Sequence, residues 1–266
     1  MSAIVIGDGL IHYEYLGRGK PLLLLHGWLG SWRYWMMTME ELSQHYRAYA
    51  CDLWGFGDSD KSRNKYTVHE YVELVHDFLD SLGILHLRIP LVGHALGATV
   101  AVNFAHQYPQ HVDRILAVSL PPTGAAVNSR LLTQGSGSLF DRVLGRDPLA
   151  GYRDVEVEVD KTEPTAIASS VQSVMAQDLS EIINGLRVPL LAVYGGRDTV
   201  ITPPENEYFH REDRLLRAIT FPDSRHFPML DEAAKFNRLL VDFLALEEGQ
   251  SLDLLEVKEE WRRRTR

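Results

Sequence analysis

LVGHALGATVAVNFAHQYP, residues 91–109, passes from an unbroken apolar run through two glycines into a stretch with helical character. It reads as a buried strand that turns sharply into a helix, and that turn decides the fold. Strand and helix can approach so closely only if the residues beside the corner are small, here Gly93 and Gly97. The residue at the tip is Ala95. A methyl group neither attacks a carbonyl nor yields a proton, so the sharpest corner of the chain carries no obvious chemistry of its own.

Outward from this corner the chain alternates between two periodicities. AIVIGDGLIHYEY (3–15) reads as a hairpin turning at Gly7, Asp8 and Gly9. PLLLLHG (21–27), YRAYACDL (46–53), RIPLVG (88–93), RILAVSL (114–120), VPLLAVYGG (188–196) and LRAITFP (216–222) are apolar runs of strand length. A helix is expected around 34–44 and a last one near 231–246. In YTVHEYVELVHDFLDSLGI (66–84), Tyr71, Leu74, Val75, Phe78, Leu79 and Leu82 follow the spacing of a helix packed on a sheet. Such alternation predicts an α/β protein: a mostly parallel, twisted sheet with helices on both faces.

The rhythm breaks between 121 and 186, which reads as an inserted cap. The core is then 1–120 and 187–246, and a charged tail spans 247–266. Inside the cap, TQGSGS (133–138) suggests a loop, and DVEVEVD (154–160) alternates with period two, as an extended, solvated acidic edge would. WRRRTR (261–266) closes the tail as a basic cluster, read as a solvated end.

Composition narrows the functional classes. The 266 residues are 45% hydrophobic and 24% charged with a formal net charge of -9, which disfavours nucleic acid and anionic membrane as partners and leaves a small-molecule substrate or ligand. The first residues have no basic start and no long apolar run, so neither a secretory signal nor a membrane anchor is expected, and the location is expected to be cytoplasmic. The single cysteine, Cys51, lies in an apolar run and suits a buried structural thiol. The eleven histidines show no metal-ligand spacing and no cofactor motif is evident, so neither metal nor cofactor is expected. Oligomeric state is not legible.

Four stretches carry a family resemblance. Gly93-His94-Ala95-Leu96-Gly97 resembles the Gly-x-Ser-x-Gly elbow of the α/β-hydrolase fold family at every position except the nucleophile. LLLLHGWLGSW (22–32) resembles its His-Gly-x loop, which implies that the backbone amides of Trp28 and Leu96 form an oxyanion hole. VYGGRDTVITPPE (193–205) and FPDSRHFPMLDE (221–232) resemble its late acid and histidine loops, which implies Asp198 and His226 as the partners of the nucleophile position. DLWGFGDSD (52–60) resembles a structural turn of the same family, with Asp52, Gly55, Gly57 and Ser59 closing a hydrogen-bonded loop.

Ala95 limits what the resemblance implies. Loss of the nucleophile costs such a site roughly 10⁶ in turnover, which leaves about one event per day from a typical 10 per second. Ser119, at the end of RILAVSL, is the nearest substitute in sequence terms, but no glycine elbow fixes it. Three readings stay open: a serine-hydrolase type of site for an ester, thioester or amide whose nucleophile is replaced; a native non-hydrolytic enzyme using the His226–Asp198 dyad and the anion hole; and a receptor that only binds.

Overall fold

The computed structural model describes residues 2–61, 64–131, 152–209 and 211–257. Eight strands form one sheet in the order β1-β2-β4-β3-β5-β6-β7-β8. The hairpin of β1 (Ser2–Ile6) and β2 (Gly9–Gly17) is antiparallel, with Ile6 opposite Gly9 across a two-residue turn at Gly7 and Asp8. β2 joins β4 (Tyr46–Cys51) antiparallel, and all remaining pairings are parallel. These involve β3 (Lys20–Leu25), β5 (Ile89–His94), β6 (Val112–Val118), β7 (Leu190–Gly195) and β8 (Leu216–Phe221).

Every residue of β5 and β7 is buried, as expected of strands covered on both faces. The covering helices are α1 (Met36–Leu42), α2 (Val68–Ser81) and α3 (Leu96–Gln107), with α7 (Pro228–Asp231) and α8 (Ala233–Ala245) after the sheet is complete. Thr67 and Glu70 cap α2 reciprocally, each satisfying an amide that a helix start leaves open. The predicted stripe Tyr71, Leu74, Val75, Phe78 and Leu79 is the buried face of α2, and α2 packs beside α3. No described helix is long and apolar enough to cross a membrane.

Between β6 and β7 the described chain forms α4 (Arg153–Val159), α5 (Pro164–Met175) and α6 (Ser180–Gly185), while Thr123–Asp178 and Val127–Ile201 make isolated bridges. The stretch 154–160 is therefore a helix and not the extended edge that its alternation suggests. Helical spacing puts Val155 and Glu158 on one buried face and leaves Val157 exposed. Glu158 is fully buried because Arg33 Nε, 2.7 Å away, and Lys161 Nζ, 3.3 Å away, neutralise it. The period-two pattern thus coincides with a helix whose inner face carries Val155 and the paired Glu158. TQGSGS and WRRRTR lie outside the described residues.

Candidate active site

The site lies where the parallel strands end and their loops meet. β5 runs out at His94, Ala95 follows at φ 47° and ψ −105°, and α3 begins at Leu96. A non-glycine residue held at positive φ stores strain of about 1–3 kcal/mol, which the surrounding structure must overcome. The Ala95 amide donates to Val118 O at 2.8 Å and so ties the corner to β6. A Cβ on Gly93 would lie 2.4 Å from Gly97 O, and one on Gly97 would lie 2.3 Å from Leu25 O. Both glycines are required by close approach.

A second turn abuts the first. Gly30 N donates to Gly27 O at 3.1 Å, with Leu29 at φ 62° inside the turn. A Cβ on Gly27 would stand 3.1 Å from Ala95 Cβ, so the turn that carries Trp28 presses directly on the elbow tip. The amides of Trp28 and Leu96 donate to no acceptor among the described residues. For Leu96 this is the open amide of a helix start. Trp28 is anchored from the other side: its indole Nε1–H donates to Ser170 Oγ in α5 at 3.0 Å, and Ser170 is itself buried.

Asp198 follows β7, and His226 lies between β8 and α7. Their side chains meet, with His226 Nδ1 2.9 Å from Asp198 Oδ2 and both groups almost fully buried. The carboxylate only accepts, so Nδ1 carries a proton, and in the neutral ring Nε2 presents a lone pair. Nε2 is buried and has no hydrogen-bond partner among the described residues. Asp198 is further held by the amides of Val200 (2.8 Å) and Ile201 (3.1 Å) on Oδ1. Burial pushes its carboxyl up, but the charge and hydrogen bond of His226, with the two amides, more than offset this and leave it below the usual carboxylate range.

The structure thus brings Asp198 and His226 together and sets the turn at Gly27 against Ala95. Ser119 does not serve the corner as a nucleophile would. Buried and at φ 46°, it donates its hydroxyl to Asp198 Oδ2 at 2.9 Å. Three contributors escaped the sequence reading. His94 fell in a variable position of the elbow, Tyr34 lies in a short 3-10 turn (Trp32–Trp35), and His26 donates Nδ1–H to Gly27 O at 2.8 Å while Nε2 accepts from Leu53 N. Only the His-Gly pairing of His26 and Gly27 offered a local signal.

Cys51 is buried, and burial raises its thiol far above the ordinary value. One group with metal-ligand donors occurs among the described residues, His12 with Asp52 and Asp58. Its charge is met internally: Lys161 Nζ is 2.9 Å from Asp58, and Asp52 accepts from the amides of Trp32 and Asp58.

Known proteins share this fold. A family model described as alpha/beta hydrolase fold matches residues 20–147. An uncharacterised protein of Mycobacterium tuberculosis is 27% identical over 91% of this chain and 80% of its own length. A pimeloyl-[acyl-carrier protein] methyl ester esterase of Nitrosospira multiformis is 25% identical over 90% of this chain and 99% of its own. The crystal structure of the enol-lactonase from Burkholderia xenovorans LB400 superposes with a TM-score of 0.78 at 22% identity, covering 92% of this chain and all of that one. With the strand order, the elbow and the family model over residues 20–147 in agreement, this chain has the α/β-hydrolase fold.

Proposed function

We propose that this site takes a small carbonyl compound of the ester or lactone class, and that Ala95 stands where an attacking hydroxyl would complete a nucleophile–histidine–acid triad. The amides of Trp28 and Leu96 receive the carbonyl oxygen, His226 is the base, and Asp198 fixes its tautomer and stabilises its charge. The segment 121–186 acts as the cap over the site, with Trp28 bonded to Ser170 at its inner side.

One observation carries the reading. His226 Nε2 is a buried lone pair with no protein partner among the described residues, on a ring whose other nitrogen is bound to a carboxylate. Burying such a group costs free energy unless something else uses it. The esterase and lactonase named above supply the substrate class by similarity. As it stands the chain cannot form an acyl-enzyme, because position 95 offers no atom to acylate.

The test restores the missing atom. Ala95→Ser is expected to hydrolyse a short p-nitrophenyl ester with burst kinetics, and a further His226→Ala is expected to abolish the burst. A second reading uses the same lone pair differently: with Ala95 in place, the His226–Asp198 dyad removes a proton from the substrate or from water while the amides hold the negative charge. An inert Ala95→Ser form together with His226-dependent turnover by the alanine form selects that reading. Ligand-induced thermal stabilisation with no turnover by either form selects binding alone.

A further inference from the structure

His94 immediately precedes the elbow tip and is fully buried, its ring centroid 4.6 Å from that of His226. Its two nitrogens face partners of opposite kind. Nε2 is 2.9 Å from the backbone carbonyl of His226, which can only accept. Nε2 therefore bears the proton and Nδ1 is an acceptor. Nδ1 lies 3.1 Å from the hydroxyl of Tyr34, and the same hydroxyl oxygen accepts the Gly27 amide at 2.5 Å. A single directed chain results, from Gly27 N–H through Tyr34 O–H and His94 to the carbonyl of His226. Its first member belongs to the turn that carries Trp28, and its last is the backbone of the base itself.

Two features argue for more than packing. Burial, reinforced by the neighbouring His226, holds the His94 imidazolium well below its ordinary value, and burial raises the Tyr34 hydroxyl well above its own. Both members stay neutral, so the chain keeps one direction. The Trp28 turn also contains Leu29 at φ 62°, a conformation that a leucine holds only under outside restraint. The chain supplies such restraint at Gly27, where a Cβ would lie 2.8 Å from His94 Nδ1.

We propose that His94 and Tyr34 are positioning residues that set the Trp28 turn and the His226 loop against one another, so that the oxyanion donor and the base are placed as one unit. This rests on the roles given above to Trp28 and His226.

Two measurements test it. On the protein with Ala95 in place, nitrogen-15 imidazole NMR is expected to show His94 still as the neutral Nε2–H form at about pH 6.5, where an ordinary imidazole is half protonated, and His226 with a low-field Nδ1 proton. Tyr34→Phe, which keeps the ring and removes the hydroxyl, is expected to shift that His226 proton. In the Ala95→Ser background, Tyr34→Phe is expected to lower kcat about 10-fold at unchanged KM and His94→Leu about 100-fold, with His94→Gln recovering part of the loss. Tyr34→Phe combined with His94→Leu is expected to equal His94→Leu alone, as members of one chain should. Losses that multiply, or a lowered Tm with kcat unchanged, overturn the proposal. If Ala95→Ser is inert, the functional reading fails, and the NMR arm still decides this one: a His226 proton unmoved in folded Tyr34→Phe sinks it, and a shifted one sustains it.

Discussion

Two aspartate–histidine pairs in this molecule are nearly identical as pairs. His226 meets Asp198 and His12 meets Asp52, each through Nδ1 to Oδ2 at 2.9 Å, each buried, each with an Nε2 that lacks a hydrogen-bond partner among the described residues. Their surroundings differ. Asp52 is enclosed by the DLWGFGDSD turn, accepting from the amides of Trp32 and Asp58, while its backbone carbonyl takes the Ser59 hydroxyl at 2.6 Å. The carboxylate of Glu14 lies 3.5 Å from His12 Nε2. Beside His226 stands His94, which leads directly into the positive-φ turn at Ala95, with the two ring centroids 4.6 Å apart. An acid and an imidazole in contact do not make an active site. What separates the two pairs is their neighbourhood: a carboxylate faces His12 Nε2, while His226 adjoins the residue that leads into the strained turn.

The largest expected effect sharpens that contrast. Ala95→Ser should raise ester hydrolysis by roughly 10⁶ over the alanine form, read as an acyl burst in rapid-mixing kinetics. In that background Asp198→Asn should lower kcat by about 10⁴, because the histidine loses its oriented tautomer. Asp52→Asn should instead leave kcat within about 3-fold and lower the urea midpoint, since a buried turn loses about 1–3 kcal/mol when a charged acceptor is weakened. Equal rate losses from the two substitutions would break the comparison. Next in size, Ser170→Ala removes the acceptor of the buried Trp28 indole and should cost about 1–3 kcal/mol in equilibrium unfolding.

The smallest effects concern stability against pH, and their signs differ. Burial works to lower the His12 pKa, but the hydrogen bond and charge of Asp52, with Asp58 and Glu14, raise it above its ordinary value. Its contribution is therefore complete below about pH 6.5 and lost as pH rises through the folded value. His94 is shifted downward, so its contribution is complete above about pH 6.5 and lost as pH falls toward its folded value. His12→Gln should flatten the alkaline limb of a Tm-against-pH curve. His94→Gln should flatten the acid limb, by at most about 1.4 kcal/mol per pH unit for one proton, with His26, also shifted downward by burial, accounting for part of what remains.

Much of the fold is readable in one dimension. Strands such as LVG and LLAV are apolar throughout because both faces are covered, and α2 shows its buried face as a stripe. The reading fails at 154–160, where alternating valines suggest an edge strand. The segment is a helix that buries Glu158 against Arg33, 125 residues away, a partnership no local pattern encodes. Ser119 shows the same limit. Its position at a strand end is legible, but its service to Asp198 depends on a loop 79 residues further on.

The amino-acid sequence alone determined the class of fold, the glycine-flanked corner with alanine at its tip, and the order in which elbow, acid and histidine follow, because these are written in local residue type and spacing. Only the tertiary structure decided that His12 pairs with Asp52 just as His226 does with Asp198, that the Asp52 turn is closed by its own amides, and that His94 and Tyr34 join two loops. Hydrogen-bond partnership depends on distances of about 3 Å between segments far apart in the chain, and these exist only once the sheet has brought the ends of its strands together.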